Sequence, residues 1–424
     1  MFIIFTQHTT LRLEYIVKNI FGNDTIITKD VLKFSNSSLQ KINYSTTNFN
    51  KDSLWIVPYG LLEQTTIETQ CTTCFEWNGL KAFFKTEGSI SFDILSASFY
   101  LLTRYEEYFN DYKKDSYGNY HHENSLAFKE NFLHLPLINM WFKVLEKQCS
   151  LKLQTSSFKF QTSFDVDIAY AYKHHSFLKN MGGFVKDLFE KRGTFIERLK
   201  VLSNYQKDPY NVFNWLNELH QQYNLKAIYF FLVAKKRSEF DKNALAKSKG
   251  MIELIQQLSK QNTIGIHPSV NSNNDENILA KEMEFLSKTT NTKITISRQH
   301  YLQLSLPATY DRLIKLGITE DYTMGYGTCN GFRASYTKPF YWYNLKAEKQ
   351  TNLLLHSFCY MDANSIFEHQ LSPENALLEM SKYYNVVKAI DGDFIFIMHN
   401  HFLSNQPKWK AWRNMYEKFL STTI

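Results

Sequence analysis

Along residues 157–167, "SFKFQTSFDVD" begins as an alternation of apolar and polar positions and ends on two acids, Asp165 and Asp167. Alternation of this kind marks a half-buried strand. Further strand-like runs follow in "KAIYFFLVA", "NTIGIHPSV", "ITISRQHYL", "GITEDYT", "NLLLHSFCY" and "DFIFIMHNH". Between them lie segments with helical spacing of apolar residues, including "NVFNWLNELHQQYNL", "KGMIELIQQLSKQ", "ENILAKEMEFLSKT" and "SPENALLEMSKYYNVVKAI". Apolar runs of about four to eight residues, each followed by an amphipathic helix, predict a parallel sheet covered by helices. About seven such units predict a barrel, whose chemistry gathers at the carboxyl ends of its strands.

Residues 1 to about 150 show no such alternation. They offer short strands such as "SLWIVPYG" and a long helix in "SFDILSASFYLLTRYEEYF", where Leu95, Phe99, Leu102 and Tyr105 share a packing face. This part reads as a smaller α+β N-terminal domain, 1–150, ahead of an α/β domain, 155–424. The length of 424 residues suits two domains. The opening "MFIIFTQHTTLRLEYIV" reads as a first strand, with neither a secretion signal nor a membrane anchor.

Composition narrows the function. With 44% apolar and 16% aromatic residues the chain is expected to fold, and its formal charge of +7 is spread among acids, which argues against nucleic acid as a partner. Five scattered cysteines, Cys71, Cys74, Cys149, Cys329 and Cys359, fit reduced thiols and a cytoplasmic location. The Cys71/Cys74 pair has no second pair at zinc-ribbon spacing and reads as incidental.

The chemistry lies at the predicted strand ends. Five of the seven predicted strands finish in ionisable groups: the first at Asp165 and Asp167, the third at His267, the fourth at Arg298 and His300, the fifth at Glu320 and Asp321, and the last at His399 and His401. In a strand, residues i and i+2 share a face, so Asp165 and Asp167 would stand about 7 Å apart and repel unless a cation or proton intervenes. Recurrence of such groups at equivalent positions marks a site.

These endings resemble the motifs of the polysaccharide deacetylases, the NodB-homology or carbohydrate esterase family four proteins, over about residues 158–405. The resemblance is carried in order by "SFDVD", "KAIYFF", "IGIH", "SRQHYL", "GITEDYT" and "FIFIMH", and it points to a divergent branch with an extra N-terminal domain. It implies a distorted (β/α) barrel that hydrolyses a non-peptide C–N bond, removing N-acetyl groups from a polysaccharide or glycan precursor. It further implies a divalent metal, with zinc fitting the donors. By the resemblance Asp165 is the general base, His399 the general acid and Arg298 the partner that orients Asp165. Asp167 and His267 are metal ligands. The second metal-binding His usual in the family, four residues after the first, is Asn271 here, and His300 is expected to replace it. Asp321 and Arg333 are expected to bind substrate. Two rival readings are a catalytically silent carbohydrate-binding or assembly protein on the same barrel, and a glycosidase built on paired carboxylates. Retention of both Asp165 and His399 favours the hydrolase.

Overall fold

The computed structural model describes all residues except 110, 150, 154–156, 191, 236 and 237, and all side chains except those and 188–190, 192 and 193. The boundary expected at 150–155 falls at 150, 154 and 155 outside the described residues.

The N-terminal part is itself built on a parallel sheet. Strands β1 (Phe2–Thr6), β2 (Ile26–Thr28), β3 (Gln40–Tyr44) and β4 (Leu54–Ile56) pair in the order β2-β1-β3-β4, every neighbour parallel. The helix Leu11–Phe21 connects β1 to β2, started by Thr10, whose side chain accepts from the Leu13 amide. The helix Val31–Ser35 connects β2 to β3. Helices interleaved with parallel strands make this an α/β arrangement, where α+β was expected. The alternation was hidden because β2 and β4 are too short to produce a periodic run. A small hairpin, β5 (Phe75–Trp77) and β6 (Leu80–Ala82), follows. Beyond it the helix Ile94–Leu102 is buried on all sides, its start capped by Asp93.

The second sheet carries β7 (Lys159–Val166), β8 (Ile228–Phe231), β9 (Thr263–Ile266), β10 (Ile296–Ser297), β11 (Glu320–Asp321), β12 (Phe340–Asn344), β13 (Lys349–Leu355), β14 (Tyr360–Met361) and β15 (Asp393–His399). Their order is β12-β13-β11-β10-β9-β8-β7-β15-β14, parallel throughout except for the β12/β13 pair. The helices Phe213–Gln222, Lys249–Ser259, Glu276–Thr290 and Pro373–Ala389 connect strands of this sheet where the apolar periodicity placed them.

Strand pairing alone describes an open sheet with β12 and β14 at its edges. Its curvature follows from the connection between β13 and β14, which consists of residues 356–359. Laid flat, seven strand spacings would hold these two strands roughly 34 Å apart, whereas so short a link reaches at most about 18 Å. The link crosses the gap with backbone bonds to both sides. His356 N donates to Asp321 O at 2.9 Å, Phe358 N to Met324 O at 3.1 Å, and Cys359 N to Ile395 O at 3.2 Å. The sheet is therefore strongly curled, and its strand ends converge.

Both parts share one core that runs from Phe2 to Leu420. A buried ion network joins them: Arg333 donates to Glu107 through Nε at 2.9 Å and Nη2 at 2.6 Å, and Arg104 Nε donates to the same carboxylate at 2.7 Å.

Candidate active site and metal centre

Register sets the floor of the site. His399 on β15 pairs with Asp165 on β7, and Asp165 pairs with Phe230 on β8. Phe230 in turn pairs with Gly265 on β9, where a Cβ would come within 2.6 Å of the Phe230 ring. Only glycine leaves that ring room to lie under Arg298, whose guanidinium sits 4.3 Å from the ring centroid. Arg298 is fully buried and donates to Asp165 Oδ1 at 2.9 Å, to Ser163 Oγ at 2.9 Å and to Tyr322 O at 3.0 Å. One oxygen of Asp165 is thereby tied down while Oδ2 faces inward, 3.8 Å from His267 Nε2.

Three imidazoles surround Asp167, each pinned through Nδ1. His267 Nδ1 donates to Arg298 O at 2.6 Å, which leaves Nε2 at 3.2 Å from Asp167 Oδ1. His300 Nδ1 meets Asp241 Oδ1 at 3.0 Å, with Nε2 at 3.7 Å from Asp167 Oδ2. His399 Nδ1 meets Asp362 Oδ1 at 2.6 Å, its backbone amide donates to Asp362 Oδ2 at 2.7 Å, and its Nε2 lies 3.4 Å from Asp167 Oδ2. A ring fixed by an oxygen acceptor on one nitrogen presents the other in a set direction.

The donors suit a divalent cation. Asp167 Oδ1 is buried with no hydrogen bond, and His267 Nε2, which carries a lone pair whenever the ring is neutral, lies 3.2 Å from it. Two acceptors facing each other call for a cation or a proton between them. One donor atom from each of Asp167, His267 and His300 lies within 4.8 Å of the others, a spread that ligands about 2.0–2.2 Å from a shared ion would close with small movements. Asn271 is exposed, so the position four residues after His267 offers nothing to this centre.

Charge follows from the same packing. Burial works to raise the Asp167 carboxyl, but His300 and His267 outweigh it and hold it well below the usual carboxylate range. Burial works to lower His300, yet Asp167 and Asp241 bring it up to about 9. His399 behaves alike: burial lowers it, and Asp362 with Asp167 and Asp165 lifts it to about 9. His401, half-buried beside His399, is pushed down to about 3 by desolvation and by His399.

These groups form one end of a cavity of about 430 Å³. Aromatic side chains line it, Tyr117, Phe240 and Phe367 exposed at its rim and Tyr301 and Phe402 further in, and Lys242 and Glu368 also line it. Tyr117 comes from the N-terminal part and stacks on Tyr301, centroids 4.2 Å apart. Asn119 holds that loop down, donating to Tyr301 O at 3.1 Å and accepting from Leu304 N at 3.2 Å. Tyr301 and Leu302 take left-handed φ of 53° and 50°. The expected strand "ITISRQHYL" therefore stops at Ser297, and the turn sends His300 inward and Tyr301 toward Tyr117.

The structure thus brings together Asp165, Asp167, His267, Arg298, His300 and His399, with His401 beside them. Asp321 and Arg333, expected at the substrate, are placed elsewhere. Asp321 is fully buried, accepting from Ser297 Oγ at 2.8 Å and from Thr323 N at 2.9 Å, and burial raises its carboxyl. Arg333 is consumed by Glu107 and by Gly325 O, at 3.0 Å. Neither lines the cavity, because each answers a buried polar group that would otherwise lack a partner. The residues that sequence reasoning passed over are Asp362, Asp241 and Tyr117. Asp362 directly follows β14 and obeys the same strand-end rule, whereas Asp241 sits in the loop after β8 and Tyr117 in another part of the chain, with no local signal.

A family model, described as a family of unknown function (DUF7033), matches residues 2–154. Compared with curated proteins, the sequence finds no match. Solved structures similar to the chain include a Mycobacterium smegmatis protein assigned as a polysaccharide deacetylase, 13% identical, covering 64% of this chain and 87% of that one at a TM-score of 0.41. PuuE allantoinase is 10% identical, with 63% and 84% covered at 0.41. BA3943 from Bacillus anthracis, a CE4 family pseudoenzyme, is 10% identical, with 63% and 62% covered at 0.30. Overlaps this weak say nothing of what the cavity binds, so its chemistry has to come from its own side chains.

Proposed function

We propose that the chain is a metal-dependent hydrolase that removes N-acetyl groups from a glycan or glycan precursor, on a distorted (β/α) barrel formed by residues 155–424, with residues 1–150 as a unit that completes the rim. The observation that carries this reading is the convergence of Asp165 and His399 on the Asp167, His267 and His300 donors: Asp165 Oδ2 lies 3.8 Å from His267 Nε2 and His399 Nε2 lies 3.4 Å from Asp167 Oδ2, while Arg298 and Asp362 hold the other atom of each. A divalent ion held by those three side chains, zinc by donor type, would acidify a water and polarise the acetyl carbonyl.

The remaining steps belong to the chain. Asp165, with Oδ1 held by Arg298, uses Oδ2 to take a proton from the attacking water as its oxygen bonds to the carbonyl carbon. Arg298 keeps that carboxylate in line and, being wholly committed, does not touch the substrate. Asp362 accepts the Nδ1 hydrogen of His399, so Nε2 carries a proton in the imidazolium form, which the raised pKa maintains near neutral pH. As the C–N bond breaks, His399 delivers the proton to the departing amine, and acetate and a free amino sugar result. The aromatic rim suits the C–H faces of a sugar ring.

The test is acetate release from a panel of N-acetylated sugars, alongside metal content of the purified protein. Bound metal with release that Asp165→Asn abolishes supports the reading. Bound metal with no release across N-acetylated mono-, oligo- and polysaccharides overturns it.

A further inference from the structure

We propose that the helical hairpin between β7 and β8 is a docking surface for a lipid bilayer carrying anionic headgroups. The hairpin consists of the helices Phe177–Glu190 and Arg192–Leu202 and the turn that follows. Its seam is polar: Arg198 Nε donates to Asp187 Oδ2 at 2.7 Å, and both side chains are buried. Arg198 also lies 4.6 Å from the Tyr172 ring centroid and 5.7 Å from that of Phe184.

Its outer face is apolar. Phe177 and Leu178 are 77% and 82% exposed, and Met181, Val185, Ile196, Leu199 and Tyr205 are exposed with them. Positions 177, 181 and 185, and 178, 181 and 185, recur at helical spacing, so they form one stripe. A water-facing helix normally turns such a stripe inward, and this hairpin turns its ion pair inward instead.

Charge complementarity selects the occupant. Lys200 is exposed on the second helix and Lys207 in the turn that follows. Among the described side chains of 176–207 no carboxylate is exposed: Asp187 is buried against Arg198, and Glu197 is half-buried, accepting from Tyr172 Oη and from Gln406 Nε2, each at 2.7 Å. An apolar stripe whose exposed charges, among the described side chains, are lysines matches the interface of an anionic bilayer, where acyl chains take the apolar groups and headgroup phosphates the ammonium groups. No helix among the described residues is long and apolar enough to cross a membrane, so the contact is interfacial.

The hairpin is tied to the mouth of the cavity. Gln406, which bonds Glu197, follows the His399–Phe402 wall, and Asn400 Nδ2 donates to Ile168 O at 3.0 Å and to Tyr210 O at 2.9 Å, on either side of the insertion. Docking would hold the cavity beside the membrane surface. The corollary that the glycan substrate is membrane-borne rests on the proposed deacetylation, whereas the docking itself does not.

The experiment is flotation of the full chain with vesicles of phosphatidylcholine alone or mixed with phosphatidylglycerol, which reads binding without turnover. The expected result is flotation with the mixed vesicles that weakens with salt. Leu178→Asp with Val185→Asp should cut it by about tenfold or more, and Lys200→Glu with Lys207→Glu should remove the preference for phosphatidylglycerol. Exposed positions make these variants tolerable to the fold, which a thermal melt checks. Wild-type protein that stays with the soluble fraction, or flotation unchanged by Leu178→Asp with Val185→Asp, overturns the proposal. So does a dimer in sedimentation velocity that the same pair disperses, since a second copy then covers the face.

Discussion

The cavity has two ends built on opposite principles. At the inner end Asp165, His267, His300 and His399 are buried, and each has one atom fixed by an acceptor or donor so that the other faces the centre. At the rim Tyr117 and Phe367 are exposed, and Tyr117 is positioned by a stack and by its loop. Buried polar groups are costly unless fully paired, so the inner end tolerates little change and, under the proposed hydrolysis, would set the rate. The rim contributes area and would select what enters.

If that division holds, substitutions at the inner end should lower kcat and those at the rim should raise KM. The largest effect is expected for Asp165→Asn, which keeps shape and bound metal while cutting kcat by about 10²–10⁴-fold, measured by acetate release beside metal analysis. His399→Ala should follow with a loss of about 10²-fold, metal again retained. The double variant should lose less than the product of the two, as residues on one reaction path do. A rate unchanged by either substitution would remove the assigned proton traffic even with the metal in place.

Asp362→Asn sharpens the comparison, because the Asp362 carboxylate is spent on His399 and on the adjacent Ala363 amide and does not line the cavity. A loss of about 10–100-fold in kcat at constant KM and constant metal content is expected, the scale for groups that orient a functional imidazole. At the rim, Tyr117→Ala should raise KM by about threefold to tenfold with kcat preserved, through loss of one stacking face. Equal falls in kcat at both ends would dissolve the distinction.

The smallest effect concerns stability. Glu282 lies behind the loop after His267, accepting from Ser269 N at 3.1 Å and from Ser269 Oγ at 2.6 Å, and burial pushes its carboxyl up to about 7. A carboxyl raised on folding binds its proton more tightly in the native state, so folding stability falls as pH rises from about 4.5, the unfolded value, to about 7, and then levels. Glu282→Gln should flatten that stretch of the urea-unfolding profile by roughly 1–3 kcal/mol and leave kcat alone.

Much of the inner end was legible because strand periodicity and strand endings are local features. The runs that end at Asp165, His267 and His399 could be read residue by residue, and Asp362 would have followed from the same rule. Asp241 and Tyr117 could not, because their relation to His300 and Tyr301 exists only across loops distant in the chain. The N-terminal sheet was misread for another local reason, since three-residue strands leave no period to detect.

By itself the sequence determined most of the strand and helix order of residues 157–403, and with it many of the groups at the strand ends; it missed β12, and it read "NLLLHSFCY" as one strand where the structure has the end of β13, a link and the start of β14. Local apolar spacing dictates that much, because a buried strand and its covering helix are specified by their own residues. Only the tertiary structure decided which of those groups meet. The short link between β13 and β14 curls the sheet until Asp167 faces three imidazoles. The left-handed turn at Tyr301 swings His300 in among them. The interior claims Asp321 and Arg333 for buried partners, because an unpaired polar group there costs more than an exposed one gains.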